Sequence, residues 1–173
     1  EGLRLLEDAV RLSRELGIRA HLPAWMVNLA EGYLADGQHT RAQAAATDAL
    51  DLARAAGERG HEAAAHAVLG DIAASGKALH ASEAFEHYNA AKRLAEELGL
   101  RPLLAETLLG LSRLNAALGE DLSAKKHRVA ADDLLRELDM RSWRDRRETE
   151  VTELEQLFIV AQSNTELYDQ LAE

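Results

Sequence analysis

The sequence predicts an all-α protein, built as an α-solenoid of stacked antiparallel helix pairs with about eight or nine helices. Three observations lead to this prediction. Of the 173 residues, 33 are Ala and 30 are Leu, and both residues strongly favour helices. Aromatic residues make up only 4% and there are two prolines, a composition that disfavours β-sheet proteins. Landmark residues also recur about every 40 positions, which is typical of helical repeats.

Three sets of landmarks define the same period. A glycine, or an aspartate in the last unit, follows one helix of each unit at Gly17, Gly57, Gly99 and Asp139, with spacings of 40, 42 and 40 residues. Twelve residues further on come Leu29, Leu69, Leu111 and Val151, and a third set is Ala42, Ala84 and Ala124. Glycine after a helix supplies the left-handed cap. Because the three sets keep one register, the repeat is genuine.

Within each period, apolar residues recur at steps of three and four, which predicts two amphipathic helices per unit. The predicted helices span residues 2–16, 22–36, 39–56, 59–75, 80–98, 101–118, 121–138 and 142–162. Pro23 and Pro102 fall at helix starts, where the missing N–H costs nothing. Gly37 and Gly119 mark short turns within pairs. Residues 1–16 are therefore predicted to be the second helix of a unit whose first helix would precede them.

The residues at the expected helix contacts resemble the tetratricopeptide repeat family. Its first helix carries a large residue, then Leu and a small residue, as in Met26, Leu29 and Ala30; His66, Leu69 and Gly70; and Leu108, Leu111 and Ser112. Its second helix carries Ala and an aromatic residue, and here Tyr88 holds the aromatic slot, whereas Ala46 and Arg128 depart from it. The period of about 40 is similar to the longer-repeat variant of bacterial multidomain signalling ATPases, nucleotidyl cyclases and transcription activators.

The resemblance implies a right-handed superhelix over residues 1–162. Its units would be residues 1–20, 21–58, 59–100, 101–140 and a capping helix at 141–162, with a tail or linker at 163–173. Small residues such as Gly70 would let two helix backbones approach closely. Replacing Gly70 by Leu should overpack this contact at a cost of about 1–3 kcal/mol.

No catalytic, metal or cofactor site is predicted. Cysteine is absent, which excludes disulfides and thiolate ligands, and no glycine-rich phosphate loop is present. The segment HEAAAH at 61–66 differs from the zinc motif, which needs two histidines four residues apart, since His61 and His66 are five apart. His66 is expected to be packed, and His80 and His87 to lie at the surface. The chain is therefore expected not to be an enzyme.

The resemblance also implies a concave groove lined by the first helix of each unit. Carried onto this sequence, the groove positions are Ala24, Val27, Asn28, Glu31 and Leu34 in one unit, Ala64, Ala67, Asp71 and Ala74 in the next, and Glu106, Leu109, Arg113 and Ala116 in the third. Such a groove is small and apolar with a charged stripe, Glu31–Asp71–Arg113. The set of Lys and Asn residues that clamps a peptide carboxylate in chaperone adaptors is missing, apart from Asn28. A helix or a basic-apolar segment would fit better than an acidic tail.

Charge restricts the class of partner. The net charge is −10, so nucleic acid and anionic membranes would be repelled. A basic patch, Arg141, Arg144, Arg146 and Arg147 beside Trp143, is expected to pair with acidic residues of the chain or of another domain. No apolar run is long enough to span a membrane, and the lack of cysteine suits a cytoplasmic location.

These features favour a non-catalytic protein–protein interaction or signal-relay module of a larger bacterial signalling protein. The alternative is a ligand-sensing repeat domain that binds a short peptide or a small molecule in its groove. The expected partners are a protein or peptide, or adjacent domains of the same polypeptide, and a homodimer through the ends or the C-terminal helix is a further option. Residues 142–158 would dock as the first helix of a fourth repeat.

Overall fold

The repeat pattern folds into seven α-helices in the computed structural model, which describes residues 2–75 and 79–138. In chain order they are α1 (Gly2–Glu15), α2 (Leu22–Ala35), α3 (His39–Ala56), α4 (Arg59–Ala74), α5 (Ala81–Leu98), α6 (Arg101–Ala117) and α7 (Asp121–Glu137). Each of these helices was predicted with both bounds correct to within one residue. The predicted helix 142–162, the basic patch and the tail lie outside the described residues, so the count of eight or nine helices is not reached within them.

Consecutive helices pack against each other, and the connections between them are short, so neighbours run antiparallel. The first helices of the pairs also contact one another, α2 with α4 and α4 with α6. We call α2, α4 and α6 the A layer, and α1, α3, α5 and α7 the B layer. This arrangement is the predicted all-α solenoid. Residues Glu1–Leu134 form one compact unit.

Glycines end the B-layer helices as predicted. Gly17, Gly57 and Gly99 have φ angles of +67°, +68° and +67°, a left-handed conformation that L-residues other than glycine adopt at a cost. The residue after each glycine donates its N–H to the carbonyl five residues earlier, at 2.8–2.9 Å. This is the Schellman pattern, which satisfies a helix-terminal carbonyl. The glycines therefore set the tight turn from each unit to the next.

Alanine brings the helices close together in the core. Its fully buried members, with an exposed fraction of 0%, are Ala30, Ala42, Ala46, Ala49, Ala53, Ala63, Ala65, Ala84, Ala91, Ala95, Ala105 and Ala131. A side chain of one carbon contributes little apolar area itself, but it allows neighbouring backbones and larger side chains to make contact. The core is thus built from close helix approach around a modest number of large residues.

One apolar face of α1 stays uncovered. Leu5 and Leu12 are 66% and 50% exposed, and their spacing of seven residues places them on the same side of the helix. Leu16, which directly follows the helix, is 63% exposed. In α3, the position equivalent to Leu5 is Ala45, which is only 5% exposed. Among the residues that the structure describes, this side of α1 is therefore open to solvent, whereas the equivalent position of α3 is covered.

We predict that Gly57→Ala lowers the free energy of unfolding by about 1–2 kcal/mol, because alanine must then adopt a positive φ. Open space surrounds the added methyl group, so strain in the backbone is the only expected cost. The matched control is Gly60→Ala in α4, where a new Cβ meets nothing closer than 3.8 Å and alanine favours the helix. Urea titrations measure both variants. An equal loss of unfolding free energy in Gly57→Ala and Gly60→Ala would contradict the role of the left-handed turn.

Candidate functional site

The residues predicted to line a groove all lie on the A layer. They are Ala24, Val27, Asn28, Glu31 and Leu34 on α2, Ala64, Ala67, Asp71 and Ala74 on α4, and Glu106, Leu109, Arg113 and Ala116 on α6. Because α2 contacts α4 and α4 contacts α6, these residues belong to three neighbouring helices of one layer.

Burial divides this set. Val27, Ala67 and Leu109, which occupy equivalent positions in the three units, are only 6–8% exposed and belong to the core. They support contacts between helices and offer little surface to a partner. The other predicted positions are half-buried or exposed, and the most open are Asn28, Glu31, Arg113 and Ala116. We call the ten half-buried and exposed positions of the set the A-layer face.

The charged stripe contains a built contact between two of its three members. Arg113 Nη2 donates to Asp71 Oδ1 at 3.2 Å, which joins α6 to α4. The hydroxyl of Tyr88 on α5 donates to the same carboxylate oxygen at 2.7 Å. Burial, followed by the neighbouring Asp71 charge, raises the pKa of Tyr88 well above its usual value. Tyr88 therefore remains a neutral donor, and Asp71 is held from both sides.

The ring of Tyr88 lies between two glycines of the A layer. A Cβ added at Gly70 would stand 2.6 Å from the ring carbon Cδ1, and one added at Gly110 would stand 2.5 Å from Cε1. Real Cβ atoms do not approach that closely, so only glycine leaves room for the ring at both places. Gly70 does sit at a tight contact between helices, as predicted, but the group that it admits is an aromatic ring of the B layer and not the expected second helix backbone.

The preceding unit fills the equivalent space with side chains of different sizes. Ala46 takes the place of Tyr88, and Ala30 and Val68 take the places of Gly70 and Gly110; all three belong to the buried core. A smaller residue in the B layer is thus matched by larger residues in the A layer. Such conservation of total volume is what close packing of a core requires.

Two parts of this arrangement were missed by the sequence analysis. Tyr88 was assigned to the aromatic slot, but its hydroxyl bond to Asp71 was not predicted, and Gly110 was not singled out. The available signal was the aromatic residue of one unit combined with glycine at the two A-layer positions that flank its slot, Gly70 in its own unit and Gly110 in the next.

A second polar cluster joins α1, α2 and α3. Glu7 Oε1 accepts hydrogen bonds from the Tyr33 hydroxyl at 2.9 Å and from Arg41 Nη2 at 2.6 Å, and these bonds lower the pKa of Glu7. The Arg41 guanidinium also stacks 4.1 Å from the centre of the Tyr33 ring. A cleft of about 410 Å³ opens beside the cluster, lined by Glu7, Val10, Arg11, Arg14, Glu15, Leu29, Tyr33 and Arg41.

The histidines of the HEAAAH segment point to different neighbours, as predicted. His61 Nδ1 lies 2.7 Å from Glu58 Oε2, whereas His66 is only 8% exposed and lies with its Nδ1 2.9 Å from His87 Nδ1. The surface location expected for His87 is wrong, since this contact leaves it half-buried. Within residues 2–75 and 79–138, no three His, Asp or Glu side chains are placed to hold a metal ion.

A membrane-spanning role finds no support in the helices that the structure describes, since none of them is both long and apolar enough to cross a bilayer. No protein-family model and no curated protein sequence matches this chain. The resemblance to tetratricopeptide repeats therefore depends on the period and on the small residues at helix contacts.

We predict that Gly110→Ala lowers the free energy of unfolding by about 1–3 kcal/mol, because the methyl group overpacks the Tyr88 ring. In a Tyr88→Leu background the same change should cost much less, since leucine lacks the Cε1, Cζ and hydroxyl atoms that the methyl group would meet. Denaturant unfolding of the four proteins gives the coupling energy between the two positions.

The matched control is Gly32→Ala on α2. There the added Cβ would meet only the Cδ1 end of the Leu3 side chain, at 2.9 Å, and this flexible group can shift. Two results would show that the ring is not held between the glycines. One is a loss of unfolding free energy for Gly110→Ala as small as that for Gly32→Ala. The other is a loss for Gly110→Ala that Tyr88→Leu does not change.

Proposed function

We propose that this chain is a non-catalytic interaction module of the tetratricopeptide type, in its longer-repeat form, which binds a protein or peptide segment on the A-layer face. The observation that carries the proposal is a row of small side chains repeated on three neighbouring helices: Ala24, Ala64, Ala74 and Ala116. Small side chains leave room for the larger side chains of a partner. A surface repeated in this way suits an extended or helical segment better than a single small molecule.

The charges of the A-layer face favour a basic-apolar partner. Glu31, Asp71 and Glu106 contribute three negative charges and Arg113 one positive charge, which sums to −2. The chain as a whole carries −10, so its field attracts cations and repels nucleic acid and anionic lipid. We therefore propose an amphipathic helix with basic residues as the partner, supplied by another protein or by an adjacent domain of the same polypeptide.

The setting that we propose is a bacterial signalling or regulatory protein of the cytoplasm, in which this module relays a binding event. The longer repeat period supports a bacterial signalling or regulatory protein, and the lack of cysteine supports a location in the cytoplasm. No chemical step is part of the proposal, because Tyr88 and His66 are both engaged in contacts between helices.

A second candidate function is sensing of a small ligand in the cleft between α1, α2 and α3. Its volume of about 410 Å³ falls within the range of small-molecule sites. Three arginines and two carboxylates, Glu7 and Glu15, line it, and this excess of one positive charge would favour an anionic ligand. A sensor of this kind should gain thermal stability with anionic metabolites, whereas a module that binds only helices through the A layer should not respond to them.

We predict that helical peptides selected for binding from a random displayed library will be basic and apolar, and that they will bind on the A-layer face. Ala116→Arg and Ala74→Arg should weaken their binding at least tenfold, because a large cation enters a surface of small side chains and repels the basic ligand. Isothermal titration calorimetry measures the dissociation constants.

The matched control is Ala55→Arg on α3, which adds the same side chain at an exposed position of the B layer. The control should retain the affinity of the unmodified protein, and all three variants should melt at similar temperatures. Peptides that lose equal affinity for Ala55→Arg, or that are acidic, would contradict the proposed surface.

A further inference from the structure

Two imidazole rings meet at the junction of α3, α4 and α5. His66 on α4 and His87 on α5 approach with their Nδ1 atoms 2.9 Å apart, and their ring centres are 5.2 Å apart. On the other side of His66, Arg54 of α3 places its Nη2 3.2 Å from His66 Nε2. The three side chains form a single polar line through the packing between three helices.

The chemistry of arginine fixes the protons along this line. Arginine can only donate, so His66 Nε2 accepts, and the ring proton of a neutral His66 must be on Nδ1. That N–H then donates to His87 Nδ1, which leaves the ring proton of His87 on Nε2. Every hydrogen bond in the line is satisfied when both imidazoles are neutral.

One added proton breaks the line wherever it binds. On His66 Nε2 it would face the N–H of Arg54. On His87 Nδ1 it would face the N–H of His66, and a shift of the His66 proton to Nε2 would only move the conflict back to Arg54. Two donors at hydrogen-bond distance repel each other, so protonation opposes the contact between α4 and α5.

The other units show that this junction does not need histidine. The residues equivalent to His66 and His87 are Met26 and Ala45 in the unit before, and Leu108 and His127 in the unit after. Arg14 keeps the place of Arg54 in the earlier unit, where its Nη2 lies 3.6 Å from the Met26 sulfur. An apolar residue therefore serves the same packing role, and only the middle junction carries a titratable pair.

The surrounding charges come from the same three helices. They are Arg54 on α3, Glu62 on α4, and Glu83, Glu86 and Arg93 on α5. Burial, then the neighbouring His87 and Arg54, lowers the pKa of His66 to about 4, and burial also lowers the pKa of His87. Because these pKa values lie below that of unfolded histidine, near 6.5, their contribution to stability is complete above pH 6.5 and is lost as the pH falls toward 4.

We propose that His66 and His87 form an acid-sensitive latch, which holds α4 against α5 at neutral pH and loosens their contact in mild acid. The latch acts through the conflict between N–H donors described above. Because α4 also carries Asp71 and Ala74 of the A-layer face, the same protonation would weaken a partner bound there. That last consequence rests on the function proposed above, whereas the latch itself does not.

Urea unfolding at pH 7 and pH 5 tests the latch in the full chain. The comparison is between the unmodified protein and His66→Met, which copies the residue that the earlier unit uses. Acidification should raise the unfolding equilibrium constant of the unmodified protein by on the order of tenfold more than that of His66→Met. Carboxylates away from this junction titrate equally in both proteins and cancel. The control His127→Gln, at the position equivalent to His87, should keep most of the acid response.

A titration by nitrogen-15 NMR of the histidine rings gives an independent readout, including the case in which His66→Met does not fold. In the unmodified protein, His66 should show the Nδ1–H tautomer, His87 the Nε2–H tautomer, and both should stay neutral at pH 6. An equal acid response in His66→Met, or a His66 ring that titrates near pH 6.5, would overturn the proposal. Retention of the latch with no peptide binding would instead count only against the proposed function of the A-layer face.

Discussion

The fit of the Tyr88 ring between Gly70 and Gly110 constrains the rest of the structure. It determines how closely α4 and α6 approach α5, because a single methyl group at either glycine would collide with the ring. The hydroxyl bond to Asp71, and the bond from Arg113 to the same oxygen, then link α5, α4 and α6. One side chain thus combines apolar packing with a polar connection between the layers.

The same constraint shapes the surface proposed for binding. Asp71 and Arg113 belong both to the A-layer face and to the contact that holds Tyr88, so a partner at this place would meet charges that the fold has already positioned. Positioned groups lose less conformational entropy on binding than mobile ones. The adjacent His66–His87 contact joins α4, the helix that carries Asp71, to α5, so under the proposed latch the interior packing and the face would respond together to a change in pH.

Local signals predicted the helices well, because the apolar period, the glycine caps and the two prolines act within a few residues of the chain. The contacts between distant side chains were harder to predict. Tyr88 and Asp71 are 17 residues apart, and His66 and His87 are 21 apart, so their meeting depends on how two helices rotate against each other. Likewise, Val27, Ala67 and Leu109 were expected on a binding surface but are buried, because a small rotation of a helix decides whether such a position faces a neighbour or solvent.

Native-state hydrogen exchange measures most directly whether the Tyr88 wedge holds the layers together. If it does, the amides of α4, α5 and α6 that surround Tyr88 should be the most protected in the chain and should exchange together at one opening free energy, because the same ring fixes all three helices. The amides of α1, where Leu5 and Leu12 remain uncovered, should exchange at a lower free energy. Early and separate exchange of α4, α5 and α6, with the greatest protection in α2 and α3, would contradict this account.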